Sequence, residues 1–450
     1  MAPANLVRIF IGNLLHCTEK LKIETLENGF VAVQGKQIIT VGDSSSLNQY
    51  IDDKLESEFE VQQIHLKKSQ ILIPGFIDTH IHAPQYPNAG LGYDKTLLEW
   101  LESYTFKLEQ NFRDLRFAKT VFNALIRKSL DHGTTTACYF GSLFLEANMV
   151  LVHSVINHGQ RALVGKVNMT QSPFKNYVES EDESLKNTVK FIESVDALQT
   201  DLVQPIITPR FALSTTIPHM KALGKIAKNN NLCVQTHISE NVEEVQIVKE
   251  SFGMSYAAVY DESDILTAKT ILAHGVHLSD EELELIAKKG ASIAHCPGSN
   301  TCLKSGLCDV TKLLKYGIKV GLGSDVSGGP SPSIREVMKL ALDTTVNIAS
   351  MKDNHKPLTY IEVFYLATLG GAEVLSLDNK IGNFVVGKEF DALIIDLAVE
   401  DSYTDYFPQY VQYSPLENLQ KFIYCGDDRN IVKVFVAGKE VKTRDKYLKI

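Results

Sequence analysis

The chain has 450 residues and a formal net charge of −9, with 44% hydrophobic and 22% charged residues. It is long enough to bury a large core and exceeds the usual length of one domain. No apolar run approaches the roughly 20 residues needed to cross a bilayer, and no basic block offsets the negative charge. These features argue against a membrane protein and against a nucleic-acid polymer as partner.

Seven cysteines are scattered along the chain, and no two of them have the C-x-x-C spacing of a zinc knuckle or redox site. An odd number of widely spaced cysteines in a long chain favours free thiols and a cytoplasmic location. Cys302 and Cys308 lie six residues apart and leave a metal pair as a minor alternative. The chain offers no matching second pair.

Short β-rich segments with glycine-containing turns occur near both ends of the chain. They cover residues 6–16, 29–42, 58–66, 391–397 and 431–442. We therefore predict one small β-sandwich domain assembled from both ends, with its first part in residues 1–70 and its second part in residues 376–450.

The middle of the chain, residues 71–375, alternates β-branched runs with helical periodicity, which is typical of βα units. The eight strand candidates are 71–82, 133–140, 161–168, 203–211, 232–239, 270–275, 291–296 and 319–325. Eight repeats over about 250 residues match a (β/α)8 barrel in number and size. The predicted fold class is therefore α/β, a TIM-like barrel. An open doubly wound sheet is the alternative, but eight repeats would be many for it.

Residues 280–289 give the clearest helix in the middle region. Ser279 and Glu282 have the spacing of a capping box, and an apolar stripe follows them. Gly290 is placed to end the helix.

Histidine or aspartate stands at the carboxyl end of four of the eight predicted strands. These residues are His80 and His82 on the first strand, His237 on the fifth, His274 on the sixth and Asp325 on the eighth. Barrel active sites are built at this end of the strands. The two-residue period of a strand points His80 and His82 to one face, about 7 Å apart along the backbone, so that both can reach one ion.

Each of these residues also has an ordinary structural explanation. A single buried histidine is more often a hydrogen-bonded core residue than a ligand, and Asp325 in GLGSDVSGG could be a turn residue. Taken together, they predict a mononuclear metal site. Its ligands would be His80, His82, His237 and Asp325. Three imidazoles and a carboxylate suit zinc or iron(II) and leave a position for water, whose pKa the ion would lower.

Glu240 follows His237 by three residues and is the best candidate for the group that moves protons. Its structural alternative is a carboxylate in the first turn of a helix that starts at Asn241. A binuclear site would normally need a bridging lysine on strand four, but 203–211 contains none, and Lys166 on strand three is a weak substitute. We therefore predict one metal ion.

The run PGFIDTHIH at 74–82 resembles the amidohydrolase superfamily, and later runs resemble the guanine deaminases within it. In chain order these runs are HAPQY from His82, LLEWLESYTF at 97–106, ITPRF at 207–211, THISEN at 236–241, AHG at 273–275, AHCPGSN at 294–300, GLGSDVSGG at 321–329, LATLGGAEVL at 366–375 and IGNFVVGKEFDA at 381–392. The resemblance extends over nearly the whole chain.

This resemblance implies hydrolytic deamination of guanine to xanthine and ammonia by a homodimer with one zinc ion per chain, iron(II) being possible. It implies the metal ligands named above and a proton shuttle at Glu240. It also implies that His274 and Asp325 orient the attacking water.

For the substrate, the resemblance implies that Gln85 and Arg210 hydrogen-bond the purine and that Phe211 packs on its ring. The other residues implied to lie against the base are His82, His237, Glu240 and Asp325. Residues 86–112, which include Trp100, resemble a segment that covers the pocket. Trp100 could equally well only pack a helix on the barrel.

The chain departs from the family pattern at three positions. Gly298 stands where asparagine is usual, Thr170 where aspartate is common and Ser324 where threonine is frequent. None of these changes removes a predicted ligand or Glu240. Another aminohydrolase of the superfamily, acting on cytosine, an adenosine-type substrate or a triazine, is the nearest alternative. A metal-free scaffold barrel is the alternative without enzymatic activity.

Overall fold

The computed structural model describes residues 5–54, 59–172 and 177–443. The strands are β1 Leu6–Glu19, β2 Lys22–Gln34, β3 Gln37–Asp43, β4 Glu60–His65, β5 Gln70–Pro74, β6 Phe76–His82, β7 Thr134–Phe140, β8 Arg161–Gly165, β9 Val167–Asn168, β10 Val203–Pro205, β11 Thr208–Pro209, β12 Val234–Ile238, β13 Thr270–His274, β14 Ser292–His295, β15 Lys319–Leu322, β16 Ala392–Asp396, β17 Ile431–Val436 and β18 Lys439–Thr443. The α-helices are α1 Leu47–Lys54, α2 Leu97–Trp100, α3 Phe106–Glu109, α4 Leu115–Asp131, α5 Leu145–His158, α6 Glu181–Asp196, α7 Ile217–Asn229, α8 Val242–Phe252, α9 Tyr256–Glu262, α10 Asp280–Lys289, α11 Pro297–Cys302, α12 Val310–Lys315, α13 Ile334–Met351, α14 Tyr360–Ala367, α15 Leu369–Val374 and α16 Pro415–Cys425.

Both ends of the chain contribute strands to one sheet. Its order is β18-β17-β16-β5-β1-β2-β3, and β4 pairs with β1. The rings of Phe10 and Phe390 stack with their centroids 4.9 Å apart, and Phe435 packs against the edge of Phe10. The two ends therefore share a sheet, as predicted, whereas a second layer that would complete a sandwich stays a prediction. Residue 58 of the predicted segment 58–66 lies outside the described residues.

The strands of the middle region are parallel and lie in a barrel-like arrangement. They form the sheets β10-β8-β7-β6 and β12-β13-β14-β15 and the pair β11-β9. The Gln235 amide donates to the Ile207 carbonyl at 2.9 Å, and the Asp325 amide donates to the His80 carbonyl at 2.8 Å. The second of these bonds joins the first strand to the segment after the last one. An open sheet would hold those strands at opposite edges, so the α/β fold is TIM-barrel-like.

All eight predicted strand regions contain strands, but three of them are interrupted. The predicted strand 71–82 breaks at Gly75, whose amide donates to the Asp391 carbonyl at 2.9 Å. A Cβ atom at this position would lie 2.1 Å from Thr135 Oγ1, so only glycine allows the approach. As a result, β5 belongs to the sheet of the chain ends and β6 begins the parallel strands. Similar breaks divide 161–168 and 203–211.

The predicted helix 280–289 is confirmed as α10. Ser279 accepts a hydrogen bond from the Glu282 amide, and the Glu282 carboxylate accepts one from the Ser279 amide, which completes the capping box. Gly290 ends the helix in the left-handed conformation with φ of 73°. Within the described ranges, no helix has both the length and the apolar character needed to cross a bilayer.

Candidate active site

Five side chains from four strand ends meet in the interior at one end of the parallel strands. We call them the His/Asp cluster, and they are His80, His82, His237, His274 and Asp325. His82 Nε2 lies 3.0 Å from His237 Nε2. Asp325 Oδ1 lies 3.3 Å from His80 Nε2 and 3.5 Å from His82 Nε2, and His274 Nε2 lies 3.9 Å from Asp325 Oδ2. The structure thus brings together every histidine and aspartate that was predicted to share one site.

Hydrogen bonding fixes which ring nitrogen of His237 faces the cluster. Its Nδ1 atom lies 2.6 Å from the carbonyl oxygen of Arg210. Because a carbonyl oxygen can only accept, Nδ1 carries the proton and Nε2 keeps its lone pair in the neutral ring. Burial is also the main cause that lowers the pKa of His80, His82 and His237, which favours neutral imidazoles. Neutral rings are the form that binds a metal.

The cluster has the donor chemistry of a metal centre. Ligand atoms of His80, His82 and Asp325 lie within 4.8 Å of one another. The same holds for those of His80, His237 and His274. Among the described residues, the buried Nε2 atom of His80 makes no hydrogen bond of good geometry, although Asp325 Oδ1 lies 3.3 Å away, and such a group is costly unless it is satisfied. A divalent cation among these atoms would satisfy it, and the residues present therefore fit a metal cofactor.

Glu240 lies beside the cluster, two residues after the end of β12. Its Oε2 atom is 3.3 Å from His274 Nε2, and its Oε1 atom accepts a bond from the Ser305 hydroxyl at 3.4 Å. Burial is the main cause that raises the pKa of Glu240 well above its ordinary value, and the charges of Asp325 and Glu244 add to this. A carboxyl group with a raised pKa can both take up and release a proton near neutral pH.

The helical alternative for Glu240 is wrong. Asn241 is the N-cap of α8, so Glu240 precedes the helix and is not part of its first turn. Glu244 instead accepts the backbone N–H groups of Glu240 at 3.1 Å and of Asn241 at 3.4 Å. The Glu240 carboxylate is therefore directed to the cluster rather than used as a cap.

A cavity opens beside the cluster. Its lining comprises His82, Gln85, Leu97, Leu98, Trp100, Leu101, Arg210, Phe211, His237, Glu240, Glu244, Leu303 and Asp325. Gln85 stands in a 3-10 turn, Ala83–Asn88, directly after β6, while Arg210 and Phe211 directly follow β11. We call Gln85, Arg210 and Phe211 the donor side. The amide of Gln85 and the guanidinium of Arg210 can donate hydrogen bonds, and they lie next to the aromatic ring of Phe211.

The segment 86–112 covers part of this cavity. Leu97, Leu98 and Leu101 line it together with Trp100. The Trp100 side chain is buried and donates its indole N–H to the Leu91 carbonyl at 2.9 Å. Trp100 therefore packs within its own segment and also lines the cavity. Its structural role and its role in covering the cavity are compatible.

Comparison with known proteins places the chain in a family. Residues 71–441 match the amidohydrolase family. The chain belongs to that family. It is 43% identical to the guanine deaminase of Dictyostelium discoideum, over 98% of this chain and 100% of that protein. It is also 43% identical to the guanine deaminase of Mus musculus, over 97% of each chain. A crystal structure of guanine deaminase from C. acetobutylicum with bound guanine has a TM-score of 0.88 and 35% identity, covering 97% of this chain and 100% of that one.

This amidohydrolase contains a buried acidic residue at its donor side that the sequence did not single out. Glu109 ends α3 and is fully buried. It receives Arg210 Nη1 at 2.6 Å, Arg210 Nη2 at 3.0 Å and Gln85 Nε2 at 3.0 Å. In LLEWLESYTFKLEQ it looks like one of several helix-surface acids, so no local pattern distinguishes it.

Asn300 and Asp78 support the cluster of this amidohydrolase and were also missed. Asn300 Oδ1 lies 2.9 Å from His274 Nδ1 and orients that ring. Asp78 accepts the backbone N–H groups of Ser324 at 3.0 Å and of His80 at 3.2 Å, so it joins β6 to the segment that carries Asp325. The signal for Asp78 was available, since a charged residue two positions before His80 shares its face of a buried strand.

Lys166 does not reach the His/Asp cluster. Its Nζ atom donates to the two Glu179 carboxylate oxygens at 2.6 and 2.8 Å and to the Val167 carbonyl at 2.9 Å. These partners account for all three of its N–H donors. Cys302 and Cys308 are free thiols, and neither belongs to a cluster with metal-binding geometry among the described residues.

The structure shows what surrounds Gly298 and Thr170, two of the three positions that depart from the family pattern. A Cβ atom at Gly298 would lie 3.2 Å from Pro330 Cδ and 3.3 Å from Leu340 Cδ1, so glycine allows close packing at the start of α11. The Thr170 amide donates to the Ser214 carbonyl at 2.8 Å. Both contacts lie outside the cluster and leave its residues in place.

Proposed function

We propose that the chain catalyses the hydrolytic deamination of guanine to xanthine and ammonia. The observation that supports this most directly is the donor side. There, a buried amide, a buried guanidinium and an aromatic ring line one cavity together with His82, His237 and Asp325. Relatives at 43% identity over nearly the full length are guanine deaminases, and a similar solved structure holds guanine in its active site.

His80, His82, His237 and Asp325 would hold one divalent cation, for which zinc or iron(II) fits the three nitrogen donors and one carboxylate. When bound, such an ion lowers the pKa of a water molecule and makes it a nucleophile near neutral pH. His274 would orient that water together with Asp325. The lone pair left on Nε2 of His237 by its Nδ1–H bond to Arg210, and the unsatisfied Nε2 of His80, support this assignment.

Glu240 would carry the protons of the reaction. As the C–O bond forms at C2 of the base, Glu240 would take a proton from the attacking water and pass it to ring N3. It would then take the proton of the new C2 hydroxyl and pass it to the amino group, so that the C2–N bond breaks, a carbonyl forms at C2 and ammonia leaves. The position of its carboxylate 3.3 Å from His274, together with its raised pKa, supports this role.

Gln85 and Arg210 would hydrogen-bond the edge of the purine, and Phe211 would pack against its face. The base would also lie against the side chains that face it from the cluster, which are His82, His237, Glu240 and Asp325. A site that pairs its buried donors with a substrate rejects analogues that leave them unpaired. The cover formed by 86–112 would keep bulk water from the reaction.

The finer architecture is also a proposal. Residues 71–375 would form a complete (β/α)8 barrel, and residues 1–70 and 376–450 a β-sandwich. The hydrogen bond between β6 and the Asp325 segment and the sheet shared by both chain ends support these assignments. A homodimer rests on the family resemblance alone, and analytical ultracentrifugation would test it.

A substrate panel with metal analysis tests the proposed function. Purified protein is assayed with guanine, adenine, cytosine and a pterin by ultraviolet absorbance and ammonia release, and bound metal is quantified by elemental analysis. We expect guanine to be turned over far faster than the other bases, with one metal ion per chain. Preference for another base would refute the substrate assignment, and metal-free protein without activity would favour a scaffold.

A further inference from the structure

Glu109 makes an unusual set of contacts for a residue that does not line the cavity. Its Oε2 atom accepts Arg210 Nη1 at 2.6 Å, and its Oε1 atom accepts Arg210 Nη2 and Gln85 Nε2, each at 3.0 Å. Gln85 and Arg210 line the cavity, whereas Glu109 lies behind them. These two side chains therefore connect Glu109 to the cavity.

The Glu109 carboxylate fixes the orientation of the Gln85 amide. A carboxylate only accepts hydrogen bonds, so Gln85 must turn its nitrogen toward Glu109. The Gln85 Oε1 atom then accepts the backbone N–H of Ser327 at 3.4 Å. With both ends of the amide engaged, Gln85 has one favoured orientation and presents a defined hydrogen-bonding edge to the cavity.

The same carboxylate fixes the plane of the Arg210 guanidinium. The two parallel N–H···O bonds form a bidentate pair, the geometry that orients a guanidinium most strongly. The Phe106 ring, whose centroid lies 5.0 Å from Arg210 Cζ, packs against it. Glu109 uses two of the five N–H donors of Arg210, and the others keep fixed directions.

Glu109 also compensates the charge of Arg210 in a fully buried setting. Burial alone would lower the pKa of Arg210, but the Glu109 carboxylate offsets this, and the pKa lies above its ordinary value. The pair is neutral as a whole. The pair therefore offers the cavity directed N–H donors without adding net charge, which suits a neutral base with a carbonyl acceptor.

We propose that Glu109 is a positioning residue that sets the selectivity of the site for purines carrying a carbonyl at C6, because it holds Gln85 and Arg210 in the orientation that pairs with this oxygen. This inference rests on the proposed function. The analogue 2-aminopurine keeps the purine ring and the C2 amino group of guanine but lacks the carbonyl. It therefore lacks the C6 oxygen that would accept hydrogen bonds from the donors that Glu109 orients.

Glu109→Gln tests this role, since the substitution keeps the shape but removes the charge and turns one acceptor into a donor. The KM for guanine and the constant for competitive inhibition by 2-aminopurine are measured together with metal content. We expect KM to rise by about tenfold or more and the 2-aminopurine constant to change by less than about threefold, with metal content unchanged. An equal change in both constants, or no change in either, overturns the proposal.

Matched variants separate positioning from general damage. Glu102→Gln makes the same substitution at an exposed position of the same segment, and we expect both constants to stay as in the wild type. Glu109→Asp keeps the charge but reaches its two partners less well, so it should lose guanine selectivity to a smaller extent. If Glu109→Gln does not fold, Glu109→Asp decides the question, and wild-type selectivity in that variant refutes the role.

The wild-type assay distinguishes this inference from the proposed function. Wild-type protein that does not deaminate guanine refutes the proposed function itself. Wild-type protein that is active, combined with unchanged selectivity in the Glu109 variants, refutes only the positioning role.

Discussion

The His/Asp cluster and the donor side border the same cavity but are built in different ways. Four of the five cluster residues lie within β6, β12 and β13, whose backbones are hydrogen-bonded to neighbouring strands. Gln85 stands in a 3-10 turn, and Arg210 follows the two-residue strand β11. The cluster thus takes its geometry from the strands, whereas the donor side depends on side-chain bonds to Glu109. Reactivity and selectivity should therefore be separable by mutation.

The two regions also differ in how their buried polar groups are compensated. Arg210 and Glu109 neutralise each other within the chain. In the cluster, the Nε2 atoms of His82 and His237 lie 3.0 Å apart, and the Asp325 carboxylate lies within 3.5 Å of the Nε2 atoms of His80 and His82. The cluster therefore offers grouped ligand atoms that fit a cation, whereas the charges of the donor side are compensated within the chain.

The largest effect is expected from His82→Ala. This change removes one ligand from the cluster, so bound metal and turnover should both fall below detection. Elemental analysis and a guanine assay measure the two quantities on the same sample. His153→Ala, an exposed histidine on α5, is the matched control and should retain both. A His82→Ala protein with full metal content would remove His82 from the ligand set.

Glu240→Gln should lower kcat by about 10³-fold while metal content stays at the wild-type level. The amide keeps the shape of the side chain but cannot carry a proton between water and the base. Glu243→Gln, an exposed neighbour on α8, is the control and should be unaffected. Near-normal turnover in Glu240→Gln would show that another group moves the proton.

Arg210→Ala should lower kcat/KM for guanine by about 10²-fold and leave metal content unchanged. It also leaves the Glu109 carboxylate buried without its counter-charge, which should lower the free energy of unfolding by about 3–5 kcal/mol. Steady-state kinetics and urea unfolding measure the two effects, with the exposed Arg116→Ala as control. Loss of metal in Arg210→Ala would mean that the two regions are not independent.

The contrast between the two regions also explains what the sequence could predict. His80, His82, His237 and Asp325 were identifiable because each stands at a strand end, and parallel strands bring their ends together. The two-residue period was enough to place His80 and His82 on one face. The positions of residues at strand ends, which the barrel brings together, can therefore be inferred from local sequence patterns.

Glu109 could not be inferred in this way. It lies 101 positions before Arg210 in the chain, and nothing in the sequence distinguishes it from the exposed acids Glu99 and Glu102 of the same segment. The break at Gly75 was missed for a related reason, because only the approach of Thr135 in the folded chain requires glycine there. Contacts between distant segments leave no periodic signal in the sequence, so pairings of this kind become visible only in the folded structure.

The smallest effect is expected from Ser279→Ala, which tests whether stability can be lowered without touching either region. Ser279 caps α10, and its hydroxyl accepts the Glu282 amide at 3.2 Å. Removing this bond should lower the free energy of unfolding by about 1 kcal/mol. The kinetic constants should not change, because α10 begins beyond the loop that follows His274 and neither Ser279 nor Glu282 lines the cavity. Ser194→Ala is the control. The Ser194 hydroxyl donates to the Lys190 carbonyl within α6, so this change removes a serine hydroxyl that does not cap a helix, and its effect on the free energy of unfolding should be nearly neutral. A fall in kcat with Ser279→Ala alone would mean that the cluster depends on helix packing as well as on its strands.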